Sequence, residues 1–538
     1  MDQTLIDEVQ AWIADDPDAT TATQLQIWLD TNNEAELRTS FNGFLQFGTA
    51  GLRGPIRPGP SGMNRAVVGR TATGIVAYMK ERNLTSVVIG RDARYGSEDY
   101  TFETAEIMSG AGMKVYVLPR PLPTPVLAFA TNELGCDVGI MVTASHNPPQ
   151  DNGYKVYLGG TVDGIKYRGS QIVSPTDFSI AEKIAAVSAL KAQPRGKNWT
   201  ILEEAVVEKY VARTAALATN PGDLKIVYTA MHGVGTEIIQ QVFDRAGFAP
   251  PILVTAQAAP DPDFPTVAFP NPEEPGAIDL ALETARNFTA HLVIANDPDA
   301  DRCAAAVNDP AIGWRMLRGD ELGAIFGEVI ARKSPHGVFA NSIVSSSILR
   351  KIAAHYEIEF RETLTGFKWL AKIENLTFGF EEALGYAVDA ATVNDKDGIS
   401  AAITLAQIAT DLASEGKTLL DLLDEIWARH GFHATEQISI RLTDLGKVGL
   451  ILGNLRNDPP QILAGRAVTA IDDLAKPKDG LPPTDGLRIW LDGGVRIIIR
   501  PSGTEAKMKC YVEAIEKDAK SAQAVLDLLR APLRALLS

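Results

Sequence analysis

The feature that most constrains this chain is a recurring short run of consecutive apolar residues that ends in a polar crest and is followed by a spacer of helical length. "SVVIGRD" at 86–92, "KVYVL" at 114–118 and "CDVGIMVTASHN" at 136–147 begin the series. A strand that is apolar on consecutive residues must be covered on both faces. The pattern therefore predicts βαβ units with parallel sheets between helices. In open sheets of that kind ligands collect beyond the carboxyl ends of the strands, and "TASHNP" stands at such an end.

The organisation recurs. "LKIVYTAMHGVG" at 224–235 opens a second region whose strand "HLVIANDPDADR" at 291–302 again ends in a polar crest. A third region carries "GVFANSIVSSS" at 337–347, "LTGFKWL" at 364–370 and "FGFEEALGYAV" at 378–388. From about 436 the texture changes to short strands, "EQISIRLTD", "RAVTAIDD", "LRIWLDG" and "VRIIIRPSGTEAKMKCYVEA", with one final helix near 518–536. The expected fold class is α/β, with three similar mixed α/β-sheet domains at 47–215, 216–318 and 319–435 and a smaller C-terminal α+β domain at 436–538. A chain of 538 residues exceeds what one hydrophobic core organises, which agrees with this division. Residues 1–46 read as a helical extension that packs on the rest: Leu5, Ile6, Val9, Trp12 and Ile13 fall at helical spacing, "DDPD" breaks the helix, and Leu25 and Trp28 mark a second stripe.

Composition narrows the function classes. A formal net charge of −16 repels polyanions at long range and argues against a general nucleic-acid binder. No apolar run approaches the length of a membrane span, and the acidic start "MDQTLIDEVQ" lacks the basic and apolar regions of a secretory signal, so a cytoplasmic protein without a membrane partner is expected. Cys136, Cys303 and Cys510 are odd in number and far apart, as expected of reduced structural residues.

Two crests and a turn carry candidate chemistry. Ser145 in "TASHNPP" offers a hydroxyl at a strand end, with Lys155 ten residues on. The "GxSxG" elbow of serine hydrolases is absent, and His146, as the adjacent residue on an extended segment, is expected to point away from Ser145. In "NDPDADR", Asp297, Asp299 and Asp301 alternate, a spacing that lets three carboxylates converge on one hard cation, Mg²⁺ being favoured. A calcium loop begins similarly, but Arg302 stands where it needs glycine and Asn308 where it needs glutamate. In "RPSGTEAKMK", Arg500 can fork onto a phosphate while Ser502, Gly503 and Thr504 supply hydroxyls and amides in a tight turn. "FGTAGLRGPIRPG" brings Arg53 and Arg57 on flexible backbone, and "EEALG" sets Glu381 and Glu382 either in a loop that accepts from sugar hydroxyls or at a solvated helix start.

In order, "FGTAGLRG", "TASHNP", "NGYK", "NDPDADR", "GDELG", "TGFKWL", "EEALG" and "RPSGTE" resemble the α-D-phosphohexomutase superfamily, the phosphoglucomutase and phosphomannomutase enzymes, over residues 47 to about 535. The resemblance implies four domains around a central cleft, carrying in turn a phosphoserine loop, a metal-binding loop, a sugar-binding loop and a phosphate-binding loop. Carried onto matching positions, Ser145 looks like the phosphoserine, and Asp297, Asp299 and Asp301, with Ser145, look like the Mg²⁺ ligands. Arg53 and Lys155 resemble the basic residues beside the moving phosphoryl group, with Lys155 a general base or acid, His146 a helper and Arg302 their neighbour at the metal loop. Thr365, Gly366, Lys368 and Glu382 resemble sugar-binding residues, and Arg500, Ser502, Gly503 and Thr504 the clamp for the substrate's other phosphate.

The activity implied by this resemblance is that of an isomerase interconverting hexose 1-phosphate and hexose 6-phosphate, glucose before mannose, through a phosphoserine and a 1,6-bisphosphate. Glucose 1,6-bisphosphate, or a related sugar bisphosphate, is then the expected activator. The sugar loop departs from many relatives by placing Leu384 and Tyr386 where they carry serine and histidine after the glutamate. A phosphopentomutase, a non-catalytic sugar-phosphate sensor and a phosphatase are the rival readings.

Overall fold

The computed structural model describes residues 1–48, 51–442, 445–478, 480–501 and 507–537. The chain folds into two compact units, Met1–Leu317 with Gly385–Asp411, and Arg318–Leu384 with Leu412–Ser538. The four-domain α/β architecture is present, with three similar α/β domains and a distinct C-terminal domain.

In the first unit, the N-terminal sheet runs in the order Leu52–Pro55, Asp151–Leu158, Val138–Val142, Ser86–Arg91, Lys114–Val117 and Trp199–Ile201. Its centre is parallel, as the apolar runs predict, and every residue of Val138–Val142 is buried. The sheet is mixed, as expected, because Asp151–Leu158 returns antiparallel to Val138–Val142. The link between them, residues 143–150, is a tight loop too short for the helical crossover that a parallel return needs. This hairpin carries the "TASHNPP" loop at its tip. It also pairs Lys155 with Met141 one strand away from Ser145.

The extension forms three helices, Gln3–Asp15, Ala19–Asp30 and Glu34–Ser40, with Asp2, Asp18 and Asn33 as side-chain N-caps. Leu5, Val9 and Trp12 are buried. Asp15 anchors the first helix by accepting the Arg70 guanidinium at 2.7 Å and the amides of Leu190 and Lys191 at 2.9 Å. The second domain orders its strands Ile252–Leu253, Ile226–Thr229, Leu292–Ala295, Ala304–Asp309 and Gly313–Met316, the first three parallel and the last two antiparallel.

In the second unit, strands Glu359–Thr363, Val338–Ser342 and Leu376–Glu381 are parallel and are accompanied by helices Gly319–Lys333 and Ile348–His355. The C-terminal sheet is antiparallel, in the order Phe432–Arg441, Lys507–Glu516, Val495–Pro501, Leu487–Leu491, Arg466–Asp473 and Ile462–Leu463. Ile489, Ile497 and Ile499 from this sheet pack with Leu526, Leu529 and Leu533 of the final helix, Ala519–Leu536. Helix Leu445–Asn457 is not anticipated by the sequence reading. Gly446, Gly449 and Gly453 lower its intrinsic propensity, and its formation rests on burying Val448, Leu452 and Leu455 against the sheet.

All three cysteines are buried and unpaired. No helix among the described residues is long and apolar enough to cross a membrane.

Candidate active site

Ser145 lies just past the end of Val138–Val142 in left-handed backbone, φ 52°. Thr143 Oγ1 accepts the Ser145 amide at 2.9 Å, and the amide of Asn147 returns to the Ala144 carbonyl at 3.1 Å, closing a turn. This turn corrects the expected position of His146. Because Ser145 is not extended, the two side chains do not diverge, and His146 Nδ1 sits 3.1 Å from Ser145 Oγ. Ser145 Oγ also donates to Asp297 Oδ2 at 2.7 Å, so the serine loop and the acidic crest meet at one oxygen.

The acidic crest is built by local turn chemistry. Asp297 and Pro298 occupy the first two positions of a turn closed by the Ala300 amide on the Asp297 carbonyl at 2.8 Å. Ala300 then takes left-handed backbone, φ 52°, which brings the next carboxylate back toward the first. One carboxylate oxygen from each of Asp297, Asp299 and Asp301 lies within 4.8 Å of the others, and all three residues are buried. Asp299 Oδ1 and Asp301 Oδ1 have no hydrogen-bond partner, which is costly for buried carboxylates and fits an oxygen-liganded divalent cation.

Four cations surround this crest. Lys155 Nζ donates to Asp299 Oδ2 at 2.7 Å and Asp301 Oδ2 at 2.9 Å. Lys396 Nζ lies 3.4 Å from Asp301, and Arg302 Nε is 3.9 Å from both Asp297 and Asp301. Arg53 donates to Asn147 Oδ1 at 3.2 Å, within the serine loop. Arg57, by contrast, pairs with Glu36 of the extension. Burial, reinforced by Asp299 and Asp301, raises the pKa of Asp297. At Asp301 burial acts the same way but is overcome by Lys155, Lys396 and Arg302, and its pKa falls. Burial opposes the charge on Lys155, yet Asp299 and Asp301 hold its pKa above the ordinary lysine value. Burial, with Arg302 and Arg53, pushes His146 well below the ordinary imidazole range and keeps it neutral near pH 7.

Several groups that hold this arrangement escaped the sequence reading. Arg94 is buried beneath the serine loop and donates to the carbonyls of Ser145 and Asn147 at 2.6 Å, Pro148 at 2.8 Å and Asp151 at 3.1 Å. Asp92 fixes the base of that arginine by accepting its amide at 3.0 Å. Thr124 donates both its hydroxyl, at 2.6 Å to Oδ2, and its amide, at 2.9 Å to the carbonyl, to Asp299. Asn296 ties the crest to the 398 region through the Gly398 carbonyl at 3.1 Å. "GRDAR" and "NDKDG" contain some of these residues, but only the tertiary fold brings them to the crest.

In the second unit, the glutamates of "EEALG" occupy a strand end and the turn after it, not a helix start. Glu381 accepts the Gly366 amide at 2.6 Å, beside the short helix Phe367–Leu370 that carries Lys368. Thr365 Oγ1 is buried without a hydrogen-bond partner. Glu382 is half-buried and accepts the hydroxyls of Ser345 at 2.9 Å and Ser342 at 3.2 Å. Burial, with Glu381 and Asp320 nearby, raises its pKa to about 7. Arg500 is half-buried near the end of Val495–Pro501, opposite Lys509. Ser502, Gly503 and Thr504 lie outside the described residues.

Family profiles decide what kind of protein carries these sites. Phosphoglucomutase/phosphomannomutase α/β/α domains I, II and III match residues 45–188, 207–313 and 318–430, and the C-terminal domain of the same family matches 455–529. The chain belongs to the phosphoglucomutase/phosphomannomutase family. A probable phosphomannomutase of Haemophilus influenzae is 48% identical over 86% of this chain and 96% of its own length. A mouse phosphopentomutase is 34% identical over 95% of this chain and 90% of its own. The crystal structure of a Paramecium phosphoglucomutase, pp63/parafusin, shares the fold with a TM-score of 0.72 at 19% identity, covering 91% of this chain and 94% of that one. Membership of the phosphoglucomutase/phosphomannomutase family makes this chain a phosphomutase, an isomerase.

Proposed function

We propose that the protein interconverts hexose 1-phosphates and hexose 6-phosphates, with glucose favoured and mannose accepted, by passing one phosphoryl group through Ser145. The observation that carries this reading is the meeting of Ser145 Oγ with Asp297 Oδ2 at 2.7 Å, beside two further buried carboxylates and a cluster of cations. Phosphate monoesters are so inert in water that catalysis of their hydrolysis can reach ~10²¹-fold. A mutase must therefore move the group between oxygens while keeping it from solvent. An alcohol at a buried strand end suits that demand.

Asp297, Asp299 and Asp301 are the residues that would hold Mg²⁺, with a phosphorylated Ser145 adding an oxygen. Bound there, the ion supplies charge neutralisation for phosphoryl oxygens. Arg53 and Arg302 add fixed positive charge beside the serine, and Arg94 holds the loop in its left-handed turn. Lys155, kept protonated by Asp299 and Asp301, acts as a cation or proton donor better than as a base. His146 is the neutral group at 3.1 Å from Ser145 Oγ and, with the serine hydrogen directed at Asp297, is suited to donate its Nδ1 hydrogen to that oxygen and orient it. Glu382, in the family's sugar loop, holds sugar hydroxyls, while Thr365, Gly366 and Lys368 flank them. Arg500, with Ser502, Gly503 and Thr504, takes the phosphate at the far end. The group on Ser145 passes to the free sugar hydroxyl, the bisphosphate turns over, and its other phosphate returns to Ser145.

Intact-mass measurement tests this directly. The enzyme incubated with glucose 1,6-bisphosphate gains one phosphoryl group, and Ser145→Ala gains none and loses turnover. Turnover that survives in Ser145→Ala refutes the reading. The second reading, a phosphopentomutase, is favoured by the similarity to the mouse phosphopentomutase over 95% of this chain. Rates on glucose, mannose and ribose 1-phosphates separate the two.

A further inference from the structure

Arg496 and Glu513 face each other on adjacent strands of the C-terminal sheet, paired in register, with side chains only 4% and 3% exposed. Their ion pair, 3.0 Å between Nη2 and Oε2, points into a neighbouring domain and not along its own sheet. The guanidinium donates to the carbonyls of Ile343, at 3.1 Å, and Ser345. The carboxylate accepts the Ser346 hydroxyl at 2.6 Å and the Ser347 amide at 2.7 Å. One buried pair thus grips both faces of the 343–347 turn of the third domain.

The free side of that turn holds Glu382. Ser345 Oγ donates to Glu382 Oε2 at 2.9 Å and accepts the Glu382 amide at 3.1 Å, and Ser342 Oγ reaches the same carboxylate oxygen. Asp320 completes the support by accepting the Ser346 amide at 2.7 Å and the Thr435 hydroxyl at 2.7 Å. A buried ion pair is a weak source of net stability compared with well-packed apolar side chains. Four directional contacts on one short turn instead fix position, and position is what a carboxylate needs to select between sugar hydroxyls.

We propose that the Arg496–Glu513 pair of the C-terminal domain is a positioning device for sugar recognition, setting Glu382 through the serine turn Ser342–Ser346. The inference rests on the reading of Glu382 as the sugar-holding carboxylate. It assigns to the C-terminal sheet a part in selecting the sugar ring beyond the phosphate contact proposed for Arg500.

The test is a set of double-mutant cycles read in KM and kcat with glucose 1-phosphate and mannose 1-phosphate. Arg496→Lys keeps the charge opposite Glu513 but loses the fork that holds two carbonyls. Ser346→Ala removes the hydroxyl that donates to Glu513 and accepts the Ile348 amide while leaving the ion pair intact, and serves if the lysine variant does not fold. Each is expected to raise KM roughly three- to ten-fold, with kcat changed less, since small misplacements of positioning groups are costly. In a Glu382→Gln background the same substitutions are expected to add less than about two-fold, because they act through that side chain. Full effects in that background, or none in the parent enzyme, overturn the inference while leaving Glu382 in its place. A Glu382→Gln enzyme with unchanged KM removes the reading of Glu382 and the inference with it.

Discussion

A non-glycine residue in left-handed backbone costs roughly 1–2 kcal/mol, and Ser145 is held there by Arg94 donating to its carbonyl and to three others in the loop. Charge balance at the crest is equally local. Lys155 is buried against Asp299 and Asp301, and removing one partner of a buried pair typically costs about 3–5 kcal/mol. Lys155→Met is therefore expected to lower the urea midpoint strongly, and Lys155→Arg to recover part of the loss; a methionine variant as stable as the parent contradicts the balance described. Asp320 gives a pH-dependent case. Burial raises its pKa to about 6, above the ordinary 3.8, so the folded state holds the proton more tightly than the unfolded chain. The stability linked to that proton is complete below about pH 4 and is lost as pH rises through 6, where the buried charge costs up to roughly 3 kcal/mol. Asp320→Asn is expected to gain on the parent between pH 4 and 6 and then hold a constant difference; urea midpoints that run parallel across that range refute it. The identities of Ser145, Lys155 and the three aspartates were legible because each lies in a compact motif. The orientation of His146 was not, because it depends on the φ of the preceding residue, which the loop's tertiary contacts fix.

Elements place these residues by where they stop. The strands Val138–Val142 and Leu292–Ala295 both end in turns that use Ser, Asn, Asp or Pro, and the apolar runs made both ends visible in the sequence. The antiparallel return after residue 150 was less visible, since an apolar strand buried on both faces reads alike in either direction. Helix Gly398–Ser414 shows how one element positions another. Its first residue approaches the acidic loop so closely that a Cβ on Gly398 would lie 2.2 Å from the Arg302 carbonyl, while its amide donates to the Ala300 carbonyl at 3.2 Å. Asp397 caps the same helix by accepting the amides of Ile399 and Ser400 at 3.0 Å. Gly398→Ala must displace the loop that carries Asp299 and Asp301. It is expected to raise the Mg²⁺ concentration for half-maximal activity by about ten-fold or more, given how steeply misplacement of site groups is felt. A Mg²⁺ titration superimposable on that of the parent would show that the loop absorbs the methyl group without moving its carboxylates.

The whole molecule carries a formal charge of −16, and the phosphosugar proposed as its substrate is itself an anion. Long-range electrostatics would oppose that encounter, and on the proposed reading capture falls to the cations beside Ser145 and the aspartates, Arg53, Lys155, Arg302 and Lys396, whose charge is offset at contact by the aspartates. The proposed cycle gives such a site one phosphoryl group to hold and one serine, Ser145, to receive it. If the same oxygen must give a phosphoryl group to one end of the sugar and recover it from the other, the enzyme cannot start without a phosphate on Ser145. It also cannot finish a cycle if the bisphosphate escapes. Enzyme stripped of phosphate is then expected to be inactive with hexose 1-phosphate alone. A small amount of glucose 1,6-bisphosphate should start turnover, with no free phosphate released in step with substrate loss. Phosphate release matching substrate consumption would identify a hydrolase. Full initial velocity from enzyme proven free of phosphate would mean that the group moves without passing through Ser145.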